Sequence, residues 1–595
     1  MDVMNGGMKL SILFKECMLR VPPYQRAYTW SPDPHLQSFL GDLRNHASSQ
    51  EKRYFYGTIL LSRAKDIRLP HLTGYDLVDG QQRLTTACIF VASTLPRIRN
   101  DPEFSRRADL YYETFICDGL GSRKFETIRD DNGFFERFIL GAEEHRGDQF
   151  HTPSQRRLFE AKKYFESFTK DLSESEIVKL ISVLYDSQIL VYAVASDLEA
   201  TQIFELQNDR GKPLTNLEAL KSFLMYGLYL NSKQNIDTDL PIVQENFSAI
   251  YRAAENMEGR YDARTEDQIL TDHCIAFEES RRINDTEGWY HPKELVRRIL
   301  EEIPTEEKSS WIKGFSYRLR ESFEYSLQIM DTRDLEKNIP IGELTVLGRT
   351  AAFWPLLLKC WKFDKNPNRP DFDRVVRAMT SFVFRSILGG KRSDRGTAEL
   401  RLLARQFSGD FEGLVSRLGH MRDEGGIREN FELNLNSEHF FEWWGRPVTY
   451  LLWRYENYLR TKPGQQMPRL PWKTVVLPER HATRYERDHI EAQGSANPNL
   501  NCLVKWQPTD EERSFSEVCL HRLGNLVLDT VSAGSSKGSG DFLSRIRHYT
   551  GSALLSQSEI VQKFASKDAN GNLLWNIAAI QRRQKVLFDF ATSEL

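Results

Sequence analysis

Val78-Asp79-Gly80-Gln81-Gln82-Arg83-Leu84-Thr85-Thr86 is the stretch on which the reading of this chain turns. A short apolar run ends in Asp-Gly, polar groups follow, and then come the apolar residues Ala87-Cys88-Ile89-Phe90-Val91. That order predicts a strand, a tight turn and the start of a helix. The turn brings a carboxylate, two amides, a guanidinium and two hydroxyls to a helix N-terminus, where unpaired backbone N–H groups favour an anion. Arg83 can grip a phosphate through two bonds, and Gly80 allows close approach of the backbone. The alternative is a solvated turn in which Asp79 and Arg83 satisfy each other, and local chemistry leaves both open.

On the N-terminal side, residues 8–110 mix short strand-like runs with turns. Pro22-Pro23-Tyr24-Gln25-Arg26-Ala27-Tyr28-Thr29-Trp30 follows an extended path set by its double proline. Residues 36–43 have helical character. Phe55-Tyr56-Gly57-Thr58-Ile59-Leu60-Leu61 reads as a strand, and Tyr75-Asp76-Leu77-Val78 as its neighbour across a polar loop. On the C-terminal side the pattern turns helical. Helices are expected over residues 159–168 and 173–184, a strand over 189–194, and a helix over 201–208. The loop Asp209-Arg210-Gly211-Lys212-Pro213 follows, and a helix restarts at Asn216. That loop is rich in donors and positive charge, although a C-cap glycine followed by an N-cap explains it better locally. Residues 240–470 read as mostly helical, with apolar positions three and four apart.

At 595 residues the chain is too long for one ordinary core, so several domains are expected. Its 80 basic and 83 acidic residues nearly cancel, so no global field draws it onto nucleic acid. That argues against a passive DNA coat more than against a nuclease, which needs only one basic face. The seven cysteines are odd in number, none has CxxC spacing, and several lie in apolar runs. They fit a reducing cytosol and give no support to a zinc knuckle. No apolar run approaches the length of a membrane span. A cytoplasmic location without membrane attachment is therefore expected.

A second constellation lies near the C-terminus, where Tyr485-Glu486-Arg487-Asp488-His489-Ile490-Glu491 is followed by His521-Arg522-Leu523-Gly524-Asn525-Leu526-Val527-Leu528-Asp529. An Asp-His pair can set a carboxylate for a hard divalent cation beside an imidazole able to deprotonate water. Strand, loop and helix in that order would make a one-metal nuclease hairpin. A surface Asp-His and an unrelated Asn-capped turn are the alternative, since spacing alone does not bring His489 to Asn525. Residues 532–540 are expected to be a polar loop.

Taken together, these stretches resemble the GmrSD kind of modification-dependent (type IV) restriction endonuclease and its anti-phage relatives. Pro23 to Trp30 resembles the family's PxQRxYxW box. Residues 55–59 and 79–86 resemble its next two boxes. Phe204-Glu205-Leu206-Gln207-Asn208-Asp209-Arg210-Gly211 resembles FxxxNxRGxxL, with Lys221 in the helix beyond. Asp488-His489-Ile490 resembles [ED]HI, Gly524-Asn525-Leu526 resembles GNL, and Arg582 or Arg583 matches a late arginine.

The resemblance implies an α+β chain of three parts. Residues 1–235 would form a ParB/sulfiredoxin-like nucleotide-binding and DNA-sensing domain, 236–470 a mostly helical connection, and 471–595 an HNH-like (ββα-metal) nuclease. It implies double-stranded DNA and a nucleoside triphosphate, GTP or ATP, as partners, and leaves room for a homo-oligomer or a defence-system protein. Asp79, Gly80, Gln81, Gln82, Arg83, Gln25, Arg26, Asn208 and Arg210 become nucleotide contacts, with Asp79 and Arg83 also catalytic. There is no GxxxxGK[ST] loop, so hydrolysis would not use the usual P-loop apparatus. In the nuclease, His489 would be the general base, Asn525 would orient it and brace the hairpin, and Asp488 would hold Mg²⁺ or Mn²⁺. Where the family commonly shows an Asn before a lysine-bearing helix, this chain has Ser535-Ser536-Lys537. Ser535 is therefore a candidate metal ligand, and a weak one, with water or Asp541 as the alternative source of the last ligand. A nucleotide-regulated scaffold or NTPase with a vestigial nuclease is the competing expectation.

Overall fold

In the computed structural model, residues 5–48, 54–69, 71–141, 143–145, 149–194, 215–232, 235–278, 291–336, 339–391, 396–465, 467–494 and 497–595 are described. They form two units, residues 1–274 with 278–327, and residues 275–277 with 328–595. The chain is α+β, as the resemblance implies.

A six-stranded mixed sheet organises the first unit. Its strands are β1 (Asn5–Lys9), β2 (Cys17–Arg20), β3 (Phe55–Leu69), β4 (Leu72–Asp79), β5 (Phe125–Glu126) and β6 (Gln188–Val194), in the spatial order β1-β6-β3-β4-β2-β5. β3 is central: it runs antiparallel to β4 and parallel to β6. Ile59, Leu60 and Leu61 are all fully buried, the continuous apolar run of a strand covered on both faces. The expected polar loop between the two strands is almost absent. Its residues pair instead, Ser62 with Asp76 and Arg63 with Tyr75, so β3 continues to Leu69 and β4 resumes at Leu72.

Directly after β4 comes α1 (Gln81–Arg99). Leu84, Ala87, Ile89, Phe90, Val91 and Ile98 are fully buried around its circumference, so it serves as the core helix of the unit. Phe90 meets Phe39 and Phe165 edge-on at 5.6 and 5.2 Å. α2 (Pro153–Thr169) and α3 (Glu174–Tyr185) pack on α1. Ser173 and Glu176 close a capping box that sets where α3 begins. α4 (Asn216–Asn231) starts where the sequence predicts, through a second capping box between Thr215 and Glu218. The expected helix at 201–208 and the loop at 209–213, including Asn208 and Arg210, lie outside the described residues.

In the second unit every described regular element from residue 328 to 476 is helical. α5 (Pro370–Leu388) and α6 (Gly445–Arg460) are its main members here. A hairpin follows, β7 (Tyr485–His489) antiparallel to β8 (Leu526–Thr530). After it come α7 (Val531–Lys537), α8 (Phe542–Thr550) and the terminal α9 (Ile577–Glu594). The polar stretch at 532–540 is thus a helical turn as far as Lys537. Thr530, whose side chain accepts from Ala533 N–H, caps its start. Ile490, Val527, Phe542, Tyr549 and Ile580 form the local core. Glu456 of α6 is fully buried but satisfied, pairing with Arg460 at 2.7 Å and accepting from Leu555 and Ser556 N–H.

All seven cysteines are free, and five of them are buried. Among the described residues no helix is long and apolar enough to cross a membrane.

Candidate functional site

The Asp-Gly turn forms as the sequence predicts. Gly80 has φ +97° and ψ 1°, a left-handed conformation that glycine adopts without a Cβ penalty, and a Cβ here would meet Ile59 Cδ1 at 2.5 Å. No side chain caps the helix it opens. Arg83 folds back over the strand ends. Its Nη2 donates to Thr58 O at 2.7 Å and pairs with Asp79 Oδ2 at 3.3 Å. A Cβ on Gly57, itself at φ +117°, would overlap Arg83 Nη1, so glycine at 57 makes the seat for the guanidinium. Asp79 keeps 42% of its side chain exposed, yet crowding by protein raises its pKa, with Arg83 opposing the shift.

The glutamines are braces. Gln82 donates to Ala27 O at 3.0 Å and accepts from Thr29 N–H at 2.9 Å. Gln81 donates to Arg26 O, while its own carbonyl oxygen is buried and finds no partner among the described residues. Gln25 donates to Val78 O at 2.9 Å and accepts from Lys221 Nζ at 3.1 Å. The Pro23–Trp30 and Asp79–Thr86 motifs are therefore bolted into one body. Lys221, from α4, is 5% exposed, and burial pushes its pKa down to about 8, opposed by Glu218 and Glu266. Tyr24 and Tyr28 of the first motif are buried, and the Tyr28 hydroxyl bonds Thr86 at 2.9 Å. Only Trp30 is half-exposed, stacked on His35.

Arg26 pairs with Glu266 at 3.2 Å on the wall of a cavity of about 510 Å³. Arg157, Tyr251 and Glu255 also line it. The Tyr251 hydroxyl is buried and unpartnered among the described residues. The volume falls within the range that holds a nucleotide-sized ligand.

In the second unit the hairpin register sets His489 opposite Leu526 and Asp488 opposite Val527. His489 is 2% exposed. Its Nε2 lies 3.1 Å from His521 Nδ1, and the Phe441 ring packs at 4.2 Å. Burial first, then His521, Arg545 and Arg487, push its pKa down to about 3. The imidazole is thus neutral and holds a free lone pair.

Asp488 is held by cations. Arg545 pairs with its Oδ2 at 2.7 Å and Lys537 lies 3.6 Å from the same atom, while Oδ1 accepts from His489 N–H. Lys537 also pairs with Asp529. Ser535 is exposed and donates to Val531 O within its own helix. Besides Lys537, Gly534 of the same helix faces Asp488, and a Cβ on it would lie 3.9 Å from Oδ2. Among the described residues no three His, Cys, Asp or Glu side chains are grouped to hold a metal ion. A single carboxylate already paired with two cations does not, on its own, fit a hard divalent ion that takes six oxygens.

Asn525 is fully buried and fully used. Its Oδ1 accepts from Glu491 N–H at 3.0 Å and Trp575 Nε1–H at 2.9 Å, and its Nδ2 donates to Leu520 O and Glu491 O. It braces the hairpin, and the partner of the His489 ring is His521. Of the two late arginines, Arg583 reaches the GNL turn. It donates to Gly524 O at 3.1 Å and to Leu526 O, and burial pushes its pKa down to about 10. Arg582 bonds Phe564 O instead. His521 and Arg545 are the side chains beside His489 and Asp488 that sequence reasoning did not single out. His521 stands four positions before Asn525 and Arg545 four after Asp541, and neither spacing marks them.

Two family models match the chain. The GmrSD restriction endonuclease N-terminal domain matches residues 10–225, and the GmrSD restriction endonuclease C-terminal domain matches residues 427–590. No curated protein matches it.

Proposed function

The chain belongs to the GmrSD-type restriction endonuclease family and carries both of its domains, and on that premise we propose a modification-dependent, anti-phage DNA endonuclease or nickase gated by a nucleoside triphosphate. As a restriction-type endonuclease it acts on DNA. The observation that supports the hydrolytic centre is the neutral His489 on β7, one residue from Asp488 and its two cations.

In this reading His489 accepts the proton of the attacking water. The Asp488–Arg545 pair fixes the strand end, with Arg545 Nη1 donating to His489 O at 2.6 Å. Mg²⁺ or Mn²⁺ belongs to the proposal through the family resemblance. The protein's own donors do not complete its shell, so no cleavage step is assigned to it. GTP or ATP would bind in the first unit near Arg83 and Arg26, whose guanidinium groups suit a polyphosphate. Binding and turnover there would report the presence of modified DNA. A cytoplasmic location is part of the same proposal.

A second reading is supported by Asp488 and α7. With the carboxylate paired to two cations and no carboxylate or imidazole on α7 beside it, the chain would be a nucleotide-regulated scaffold or NTPase with a vestigial nuclease. One experiment separates the two. Wild-type and His489→Ala proteins are incubated with supercoiled plasmid, modified and unmodified, with Mg²⁺, Mn²⁺ or a chelator, and with GTP, ATP or neither. Nicking by wild type alone supports the endonuclease. Nucleotide hydrolysis without cleavage under every condition supports the second reading.

A further inference from the structure

His489 and His521 face each other through ring nitrogens, Nε2 to Nδ1 at 3.1 Å, and a carboxylate stands behind the pair. Glu442 Oε1 lies 3.6 Å from His521 Nε2, and its other oxygen meets His439 Nδ1 at 2.8 Å. The order is carboxylate, imidazole, imidazole. At 3.6 Å the contact is too long for a hydrogen bond, but the negative charge of Glu442 favours the His521 tautomer that carries its proton on Nε2. A neutral imidazole holds one N–H, which leaves His521 Nδ1 as an acceptor. The proton between the rings must then sit on His489 Nε2, and His489 Nδ1 is left bare. Among the described residues that Nδ1 makes no hydrogen bond.

Other features hold the relay in register. Phe441 N–H donates to His521 O at 2.9 Å, and its ring packs on both imidazoles, at 4.2 and 5.7 Å. The Arg487 guanidinium lies over the Phe441 ring at 4.5 Å. Glu438, at the start of the same segment, is anchored by Arg513 at 2.7 Å and Arg522 at 3.4 Å. Burial lowers the pKa of His521, with Glu442 opposing, which keeps the ring in the neutral form that the relay needs.

We propose that His521, backed by Glu442, is the positioning residue of the nuclease: it fixes the tautomer of His489 so that Nδ1 is the atom that takes the proton from water. This rests on the reading of His489 as general base. In the step itself, water loses one proton to His489 Nδ1 as its oxygen bonds to phosphorus, the P–O bond to the departing sugar breaks, and the released alkoxide takes a proton from bulk water. The Nε2 proton of the resulting imidazolium stays in the bond to His521, whose Nε2–H leans on Glu442. No proton leaves the relay, and the charge that forms on His489 is spread toward the carboxylate.

The test uses full-length His521→Phe, His521→Asn and His489→Ala. Phenylalanine keeps the ring that stacks on Phe441 but has no acceptor. Asparagine restores an acceptor oxygen at the position of Nδ1. The expected result is a kcat lower by roughly 10- to 100-fold for His521→Phe, the usual cost of removing an orienting partner, with KM and thermal midpoint unchanged. His521→Asn should recover most of the loss. A wild-type kcat in His521→Phe while His489→Ala is dead overturns the positioning role and leaves the base assignment intact. Full activity in both variants overturns the base assignment itself. Long-range ¹H–¹⁵N spectra of histidine-labelled protein decide the matter without turnover. The signal absent from His489→Ala should show a protonated Nε2 and a bare Nδ1, and the opposite tautomer overturns the proposal.

Discussion

Lys221 Nζ lies 3.1 Å from Gln25 Oε1, and Gln25 in turn donates to the carbonyl of Val78, the residue before Asp79. A buried ammonium on α4 thus sets the end of β4 through a single amide. Its nearest charges are Glu218 and Glu266, and the rings of Tyr24 and Tyr251 complete its surroundings.

That arrangement gives the first unit a pH-dependent stability of known sign. Below about pH 8 the lysine is charged in both folded and unfolded chains, and the folded chain bears the cost of burying it. Above that pH the folded state releases the proton, while the unfolded state keeps it until about 10.4. The unfolded state then binds more protons, so stability rises with pH through this window. The full gain is on the order of 3 kcal/mol, and about 1.5 kcal/mol of it falls between about pH 8 and about pH 9.5. Lys221→Met lacks the titrating group. Pulse proteolysis in urea, scoring the first unit, should show wild type gaining on the variant over that range. A difference that does not change with pH would remove the buried ammonium from the account.

Gly57 and Arg83 make the second prediction. Gly57→Ala faces two costs, a side chain at φ +117° and an overlap with Arg83 Nη1. The first is intrinsic, roughly 1–2 kcal/mol. The second exists only while Arg83 is present, and relieving it would expel the guanidinium from Thr58 O. A double-mutant cycle with Arg83→Ala should therefore show an interaction of about 0.5–3 kcal/mol, Gly57→Ala being cheaper in the variant background. Equal costs in both backgrounds would mean that Arg83 does not occupy the seat.

The strand, turn and helix at 78–99 were legible because the polarity reverses twice around one Asp-Gly. The braces were not. Gln82 reaches backbone groups of Ala27 and Thr29, more than fifty residues away, and a carbonyl leaves no mark in a sequence. Tyr24 and Tyr28 follow the same logic. A proline-rich aromatic run suits a ligand wall or a core, and only burial separates the two. In the nuclease hairpin, the Asp-His and GNL motifs announced β7 and β8. The turn after them was misread because Gly534, Ser535 and Ser536 are poor helix formers, whereas the Thr530 cap holds them in one. His521 stayed hidden because the bond that matters joins positions 32 apart across the hairpin.

Asn525 supplies the last prediction, and it separates bracing from catalysis. Asn525→Ala leaves Glu491 N–H, Trp575 Nε1–H and the carbonyls of Leu520 and Glu491 without this partner in a dry interior. Each group left unpaired costs about 1–3 kcal/mol, and relaxation recovers part of the sum. The expected loss is on the order of 4 kcal/mol, which a chemical denaturation series on the full chain would read. His489→Ala removes a side chain whose ring nitrogens serve only His521 among the described residues, so its stability should change far less. If Asn525 acted chiefly by orienting His489, the pattern would invert: Asn525→Ala would fold nearly as well as wild type and lose cleavage. A large drop in stability, with surviving activity in the fraction that stays folded, is the result expected of a brace.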